Sequence, residues 1–312
     1  MVPDSEQSLA SLTTESINPA SADLSDMSAL DIVRTMNGED ALVAAAVGTE
    51  AERIADAVAG IAERLRRGGR LVYVGTGTSG RLGVLDAAEC PPTFDTPPEL
   101  VVGLIAGGAP ALMRSSELAE DSSSTGRADL ERLKIGEADS VVGISASGRT
   151  PYVLGAIALA AERGALTIGL ACNVQTELEE AVDIMIHPVV GPEVLAGSTR
   201  LKAGTAQKMV LNMLSTGVMV LLGKTFGNLM VDMRATNMKL RDRSVRILRT
   251  VTGLGDRAAR DLLMRCDGEL KVAIVAGLAD TDAASARERL ARSGGIMRAV
   301  VEENRFPVGD LP

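Results

Sequence analysis

Five short apolar runs punctuate this chain, each too short for a helix, with helical segments read between the first and second and between the third and fourth. They are Leu71–Val74, Leu100–Ile105, Val141–Ser145, Leu166–Ala171 and Ile184–Ile186. Strands that alternate with helices cannot be joined by tight hairpins. They imply a parallel sheet with helices on both faces, an α/β fold. Before the first run, Ile54, Val58, Ile61 and Leu65 recur at helical spacing, and Gly68-Gly69 ends that helix. A helix is expected from Pro151 to Arg163, with proline in its first turn. Another is expected through Leu82, Leu85 and Asp86 to Glu89, stopped by Pro91-Pro92. Residues 4–27 read as an irregular arm. From Lys202 the chain is expected to be helical throughout, with short amphipathic helices after Ser244 split at Gly253-Leu254-Gly255, Gly268 and Gly294-Gly295. The expected organisation is an arm with helices over 1–60, a sheet domain over 61–224 and a helical region over 225–312.

Composition removes several functions. Aromatic residues make up 2% of the chain and Trp is absent, so there are no stacking platforms for single-stranded nucleic acid. A net charge of −9 opposes general binding to a phosphate backbone. The five positive charges between Lys239 and Arg249 read as a solvated helix face. Neither nucleic acid nor membrane is an expected partner: the longest apolar stretch, Met209–Leu222, is interrupted by polar residues and reads as a buried helix. The N-terminus lacks the pattern of a secretory signal, and the three cysteines, Cys90, Cys172 and Cys266, are far apart, which fits reduced thiols in a cytoplasmic protein. The chain has one histidine, His187, so a multi-histidine zinc site is excluded. Acid–base chemistry near neutral pH therefore falls mainly to carboxylates, Lys, Tyr or Cys.

Two strand-end loops are rich in hydroxyls. Gly75-Thr-Gly-Thr-Ser-Gly80 follows the first strand and opens a helix, and it matches the dinucleotide pattern GxGxxG. The second strand, however, ends Ile105-Ala-Gly-Gly108, without the carboxylate that would hold a ribose. Thr76, Thr78, Ser79 and Gly80 instead suit a small anion held by hydroxyls and the N–H groups of a helix start. Ser145, Ser147, Gly148 and Thr150 repeat the theme after the third strand. Each loop alone is equally well read as a capped strand–helix turn; the pair together points to one crevice.

The segments GTGTSGRLGVLDAAECPPTF (75–94), VVGLIAGG (101–108), GISASGRTPYV (143–153), GSTRLKAGTAQKMVLNMLSTG (197–217) and FGNLMVD (226–232) carry a resemblance. They are similar to the N-acetylmuramic acid 6-phosphate etherase family, whose sheet is the doubly wound, flavodoxin-like SIS fold of phosphosugar isomerases and regulators. The resemblance runs from about Thr14 to about Glu303. It implies cleavage of the D-lactyl ether of N-acetylmuramic acid 6-phosphate, without metal or cofactor, by a homodimer with its site near the interface, and a small ubiquitin-associated-like C-terminal subdomain. A phosphosugar isomerase and a non-catalytic sugar-phosphate-binding regulator share the fold and remain alternatives.

The chemistry asks for two proton-transfer groups. An open-chain aldose acidifies its C2 proton; a base removes it, the C3 lactyl group leaves, and water adds to the double bond. Glu89 shares a helix face with Leu82 and Leu85, and a carboxyl beside an apolar stripe suits a general acid. By pattern alone an idle helix-end carboxylate is an equal reading; the family's ECPP motif favours Glu89. Glu117, Glu120 and Asp121 form an acidic cluster among which pattern does not choose; the family's AED motif points to Glu120 as base or water activator. The resemblance also places Glu193, Ser198, Thr199 and Lys202 at the site, with Lys202 as a cation for the phosphate.

Overall fold

A computed structural model describes residues 12–114, 119–233 and 238–304. The arm forms three short 3-10 turns, at Thr13–Glu15, Pro19–Ser21 and Leu24–Asp26. Helices α1 (Ala29–Asp40), α2 (Val43–Gly48) and α3 (Ala51–Arg66) follow. Alternation then begins: β1 (Leu71–Gly75), α4 (Gly77–Phe94), β2 (Val101–Ile105), α5 (Pro110–Met113), α6 (Ser123–Glu131), β3 (Ser140–Ile144), α7 (Pro151–Glu162), β4 (Leu166–Leu170), α8 (Glu177–Glu180), β5 (Ile184–Ile186) and α9 (Lys202–Leu221).

The five strands form one parallel sheet in the order β2-β1-β3-β4-β5. Strands β1, β3 and β4 are buried along their whole length. That is why they read as continuous apolar runs rather than alternating ones. Side chains alternate between the faces. Val72, Val74 and Val141 pack with Leu130 of α6 and with Tyr152, Val153, Ala156 and Ile157 of α7. Tyr73 points the other way, toward α4, where a Cβ on Gly83 would lie 2.9 Å from the Cβ of Tyr73. Helices α6 and α7 touch backbone to backbone: a Cβ on Gly126 would lie 1.9 Å from the Tyr152 carbonyl oxygen, and one on Gly155 would lie 2.0 Å from that of Ser123. Arg70 ties the starts of β1 and β3 together through a two-point contact to Asp139, at 3.1 and 2.8 Å.

The chain divides into two compact units. The first comprises residues 1–88 and 98–216, the second 89–97 and 217–312. Within the second, β6 (Thr225–Phe226) and β7 (Leu229–Met230) pair as an antiparallel hairpin, so the chain after Lys202 is not helical throughout. Gly227 turns the hairpin at φ +56°, a left-handed conformation natural to glycine. Helices α10 (Met238–Thr252), α11 (Asp256–Arg265), α12 (Leu270–Ala279), α13 (Ala283–Arg292) and α14 (Met297–Asn304) complete the unit. Val245, Leu248, Leu262, Ile274, Leu290 and Val300 are among its core residues.

One helix end differs from expectation. Helix α4 does not stop at Pro91-Pro92 but runs through them to Phe94. The prolines remove two N–H donors, yet the Asp95 N–H still closes a turn on the Pro91 carbonyl at 3.0 Å, and Phe94 is buried. Tertiary burial of the last turn outweighs the local cost.

Candidate active site

The crevice follows from the strand order. The chain passes from β1 outward to β2 and then returns to β3 on the other side of β1, so the crossovers diverge at the carboxyl ends of β1 and β3. Ligands of open α/β sheets bind at such a switch point. Gly75 is in register with Ile144, which sets the two hydroxyl-rich loops side by side.

In the first loop Thr76 and Ser79 are buried and Thr78 is half-buried. Gly77 takes φ +48°, and Gly80 lies so close to the end of β1 that a Cβ there would sit 2.7 Å from the Gly75 carbonyl oxygen. The Gly80 N–H closes the first turn of α4 on the Thr76 carbonyl at 2.9 Å, and the N–H groups before it in the helix have no intrahelical acceptor. The second loop is closed by its own hydroxyls. Ser145 Oγ lies 2.8 Å from Thr150 Oγ1 and 3.2 Å from Ser147 Oγ, and it accepts the Gly148 N–H at 3.0 Å. Gly148 adopts φ +71° against Thr176, where a Cβ would come within 2.5 Å of the threonine side chain. Here glycine is required both by the backbone angle and by the space.

Glu120 stands at this crevice. Its Oε1 lies 3.3 Å from the position a Cβ on Gly77 would take, beside the first loop. Its main-chain carbonyl accepts the Tyr152 N–H at 3.0 Å, in the first turn of the helix that the second loop opens. The close α6–α7 contact fixes that link. Asp121 is exposed, and Glu117 lies outside the described residues.

Helix α9 approaches the first loop. A Cβ on Gly204 would lie 3.4 Å from Thr78 Cγ2, and Ser79 Oγ donates to Gln207 Oε1 at 2.8 Å. Glu193, fully buried, accepts the N–H groups of Lys202 and Ala203, both at 2.9 Å, and so caps α9. Half-buried Ser198 forms the turn before the helix, its N–H on the Leu195 carbonyl and its own carbonyl accepting from Leu201; the Thr199 carbonyl accepts from Gly204. Lys202 is buried, not a surface lysine, and its Nζ lies 2.6 Å from Glu39 Oε2 on α1. Asn18 donates to the same Glu39 oxygen. The Lys202 hydrogen bond holds the Glu39 carboxyl below the usual range, outweighing desolvation, with Asn18 and the lysine charge adding to it.

Glu89 lies elsewhere on α4. The core-facing stripe of that helix is Gly83, Ala87, Cys90 and Phe94. The stripe expected to shelter Glu89 is rotated away from it: Leu82 is half-buried, Leu85 is 51% exposed and Glu89 is exposed. Small residues are needed where α4 meets the sheet, so the large leucines point outward. Nearby Asp86 is mostly buried and accepts from the Tyr73 hydroxyl at 2.9 Å and from Ser215 at 3.1 Å. Burial pushes its pKa up, partly offset by those two hydrogen bonds and by the charge of Lys208. Sequence reasoning missed Glu39 and Gln207. Gln207 has a faint signal, one turn beyond Ala203 on the inward face of α9; Glu39 has none.

A parallel sheet of this order, with two hydroxyl loops at its switch point, defines a SIS-domain protein. Family models bear this out: residues 108–217 match the SIS domain, and residues 53–161 match the glucokinase regulatory protein N-terminal SIS domain. The phosphoheptose isomerase of Francisella tularensis shares the fold at a TM-score of 0.50 and 18% identity, over 62% of this chain and 98% of that one. Whole-chain similarity is narrower. An N-acetylmuramic acid 6-phosphate etherase from Rubrobacter xylanophilus is 56% identical over 302 residues, 97% of this chain and 100% of its own. One from Rhodopirellula baltica is 56% identical over 90% of this chain and 93% of its own, and one from Salmonella typhi 52% identical over 94% and 99%. The chain belongs to the N-acetylmuramic acid 6-phosphate etherase family.

Proposed function

We propose that the chain is a carbon–oxygen lyase that cleaves the D-lactyl ether of N-acetylmuramic acid 6-phosphate, giving N-acetylglucosamine 6-phosphate and D-lactate. Beside the family membership, the observation that carries this reading is Glu120: a carboxylate set against one hydroxyl loop and tied by its backbone to the helix of the other. The two loops hold the sugar phosphate with Thr76, Thr78, Ser79, Ser145, Ser147 and Thr150. Glu120 takes the C2 proton of the open-chain sugar. The C3–O bond breaks, Glu89 protonates the departing lactyl oxygen, and a C2–C3 double bond conjugated to the aldehyde remains. Water then adds at C3 and a proton returns to C2, so the net change is hydrolysis of one ether. Each carbon–oxygen bond change is accompanied by a proton transfer, which two carboxylates and water supply. Glu193, Ser198 and Lys202 shape the site by fixing the start of α9.

A homodimer is part of this reading. A general acid works best in apolar surroundings, and a second copy lying over Leu85 and Glu89 would provide them. The first unit has other uncovered apolar side chains: α1 buries no residue, with Leu30 56% and Val33 63% exposed, and Met213 on α9 is 42% exposed. Among the described residues no helix is long and apolar enough to cross a membrane. We place the enzyme in the cytoplasm, in the reuse of cell-wall amino sugars. The 225–312 region, read as carrying the ubiquitin-associated-like subdomain, is proposed as an accessory to the catalytic domain.

The test is D-lactate release from purified protein given N-acetylmuramic acid 6-phosphate. Stoichiometric lactate and N-acetylglucosamine 6-phosphate are expected. Interconversion of aldose and ketose phosphates without lactate would replace this reading with that of an isomerase, and binding without turnover would replace it with that of a regulator.

A further inference from the structure

Gln207 carries a buried, unmet group at the first loop. The side chain is 1% exposed. Its Oε1 accepts the Ser79 hydroxyl at 2.8 Å, and its Nε2 has no hydrogen-bond partner among the described residues. A buried amide donor without a partner is a standing cost, one that a methionine of similar shape would avoid. Its position gives the orphan a meaning. Ser79 has one hydroxyl proton, and in this arrangement that proton points at Gln207 rather than into the loop. The other resources of α9 are already committed: its first N–H groups to Glu193 and the Lys202 ammonium to Glu39.

We propose that Gln207 is a positioning residue for the phosphosugar, acting through Ser79. Turning the amide by half a revolution about its last bond puts Nε2–H where Oε1 now sits. The orphaned donor then pairs with Ser79 Oγ, and the serine proton is released to an anionic oxygen in the loop. The carbonyl left behind is the less costly of the two amide ends to leave unpaired. The ligand so recognised is an acceptor-only anion, the phosphate of the sugar. The inference rests on the reading that the first loop takes that phosphate, and it names the residue that sets the loop's hydroxyl.

The experiment measures calorimetric binding of N-acetylglucosamine 6-phosphate to wild type, Gln207→Met, Ser79→Ala and the double variant, with KM and kcat for lactate release alongside. Ser79→Ala is expected to weaken binding about tenfold, the loss of one hydrogen bond to a charged group; Gln207→Met removes the acceptor that holds the serine proton as well as the donor that would orient it, and is expected to weaken binding by less than that. The double variant is expected to bind no more weakly than Ser79→Ala, because Gln207 acts only through Ser79. KM rises by more than kcat falls. Gln207→Glu keeps the shape and the acceptor but has no donor to turn toward Ser79, so it holds the serine proton away from the loop and is expected to bind at least tenfold more weakly. Wild-type affinity in Gln207→Glu, or a double variant that binds more weakly than Ser79→Ala, would overturn the proposal. So would failure of the wild type to bind the sugar phosphate. Wild-type binding without lactate release would instead refute the etherase reading and leave Gln207 in place.

Discussion

Adding one methyl group at Gly77 tests where Glu120 works. Gly77 has φ +48°, a left-handed conformation that costs an alanine about 1–2 kcal/mol. Its new Cβ would also meet Glu120 Oε1 at 3.3 Å, tighter than ordinary van der Waals contact, so the carboxylate must shift by a few tenths of an ångström. If a 1 Å misplacement of a reacting group costs about 10²-fold, a shift of that size lowers kcat by about three- to tenfold. The strain alone is supplied by a control. Gly68 takes φ +85° at the amino end of β1, with nothing within 4 Å of its Cβ position. Gly68→Ala should lose comparable stability, about 2 °C in Tm for a chain of this size, and keep wild-type lactate release. Initial rates of D-lactate formation and thermal melts on the two variants decide the matter. If Gly77→Ala keeps full kcat, or if Gly68→Ala loses as much, the placement of Glu120 against the first loop does not govern the reaction.

Three further outcomes follow from the same geometry. Glu120→Gln and Glu89→Ala should each lower lactate release by about 10²–10⁴-fold, the usual contribution of a positioned proton-transfer group, and near wild-type rates in either would remove that residue from the mechanism. Burial raises the Asp86 pKa in the folded protein above its unfolded value of about 3.9, so ionising it opposes folding at neutral pH. That penalty is full above the folded pKa and fades as pH falls toward the unfolded one. Urea melts should therefore show wild type gaining stability relative to Asp86→Asn between pH 7 and pH 4, whereas a constant or opposite difference would contradict the burial argument. Asp139→Ala should cost about 2–3 kcal/mol, less than a fully buried pair because Arg70 is partly exposed, and a loss under about 1 kcal/mol would show the β1–β3 clamp to be unimportant.

Much of the fold was legible. The five apolar runs became the five strands within a residue or two, because central parallel strands are buried on both faces and must be apolar throughout. The hydroxyl loops were legible for a related reason: glycine and hydroxyl residues directly after a strand mark a turn that leaves helix N–H groups free. Failures occurred where a local signal met a distant partner. Pro91-Pro92 read as a stop, but Phe94 is buried and holds the helix through them. Leu82 and Leu85 read as a core stripe, but close packing at Gly83 turned them outward. The hairpin of β6 and β7 spans two residues a strand, too short to leave a periodic trace.

The sequence alone determined the alternating elements, the parallel sheet, the two hydroxyl-rich loops and the exclusion of a multi-histidine zinc site. The first three depend on backbone hydrogen bonding and on burial pattern, which act over a few residues. Only the tertiary structure brought the Glu120 side chain beside the first loop. Residue pattern left Glu120 in a cluster with Glu117 and Asp121, and the family resemblance singled it out; the tertiary structure sets its Oε1 beside Gly77. Glu39 reached Lys202 across 163 residues, and Ser79 reached Gln207 across 128. Such meetings are set by sheet order and helix packing, and no local run of residues encodes them.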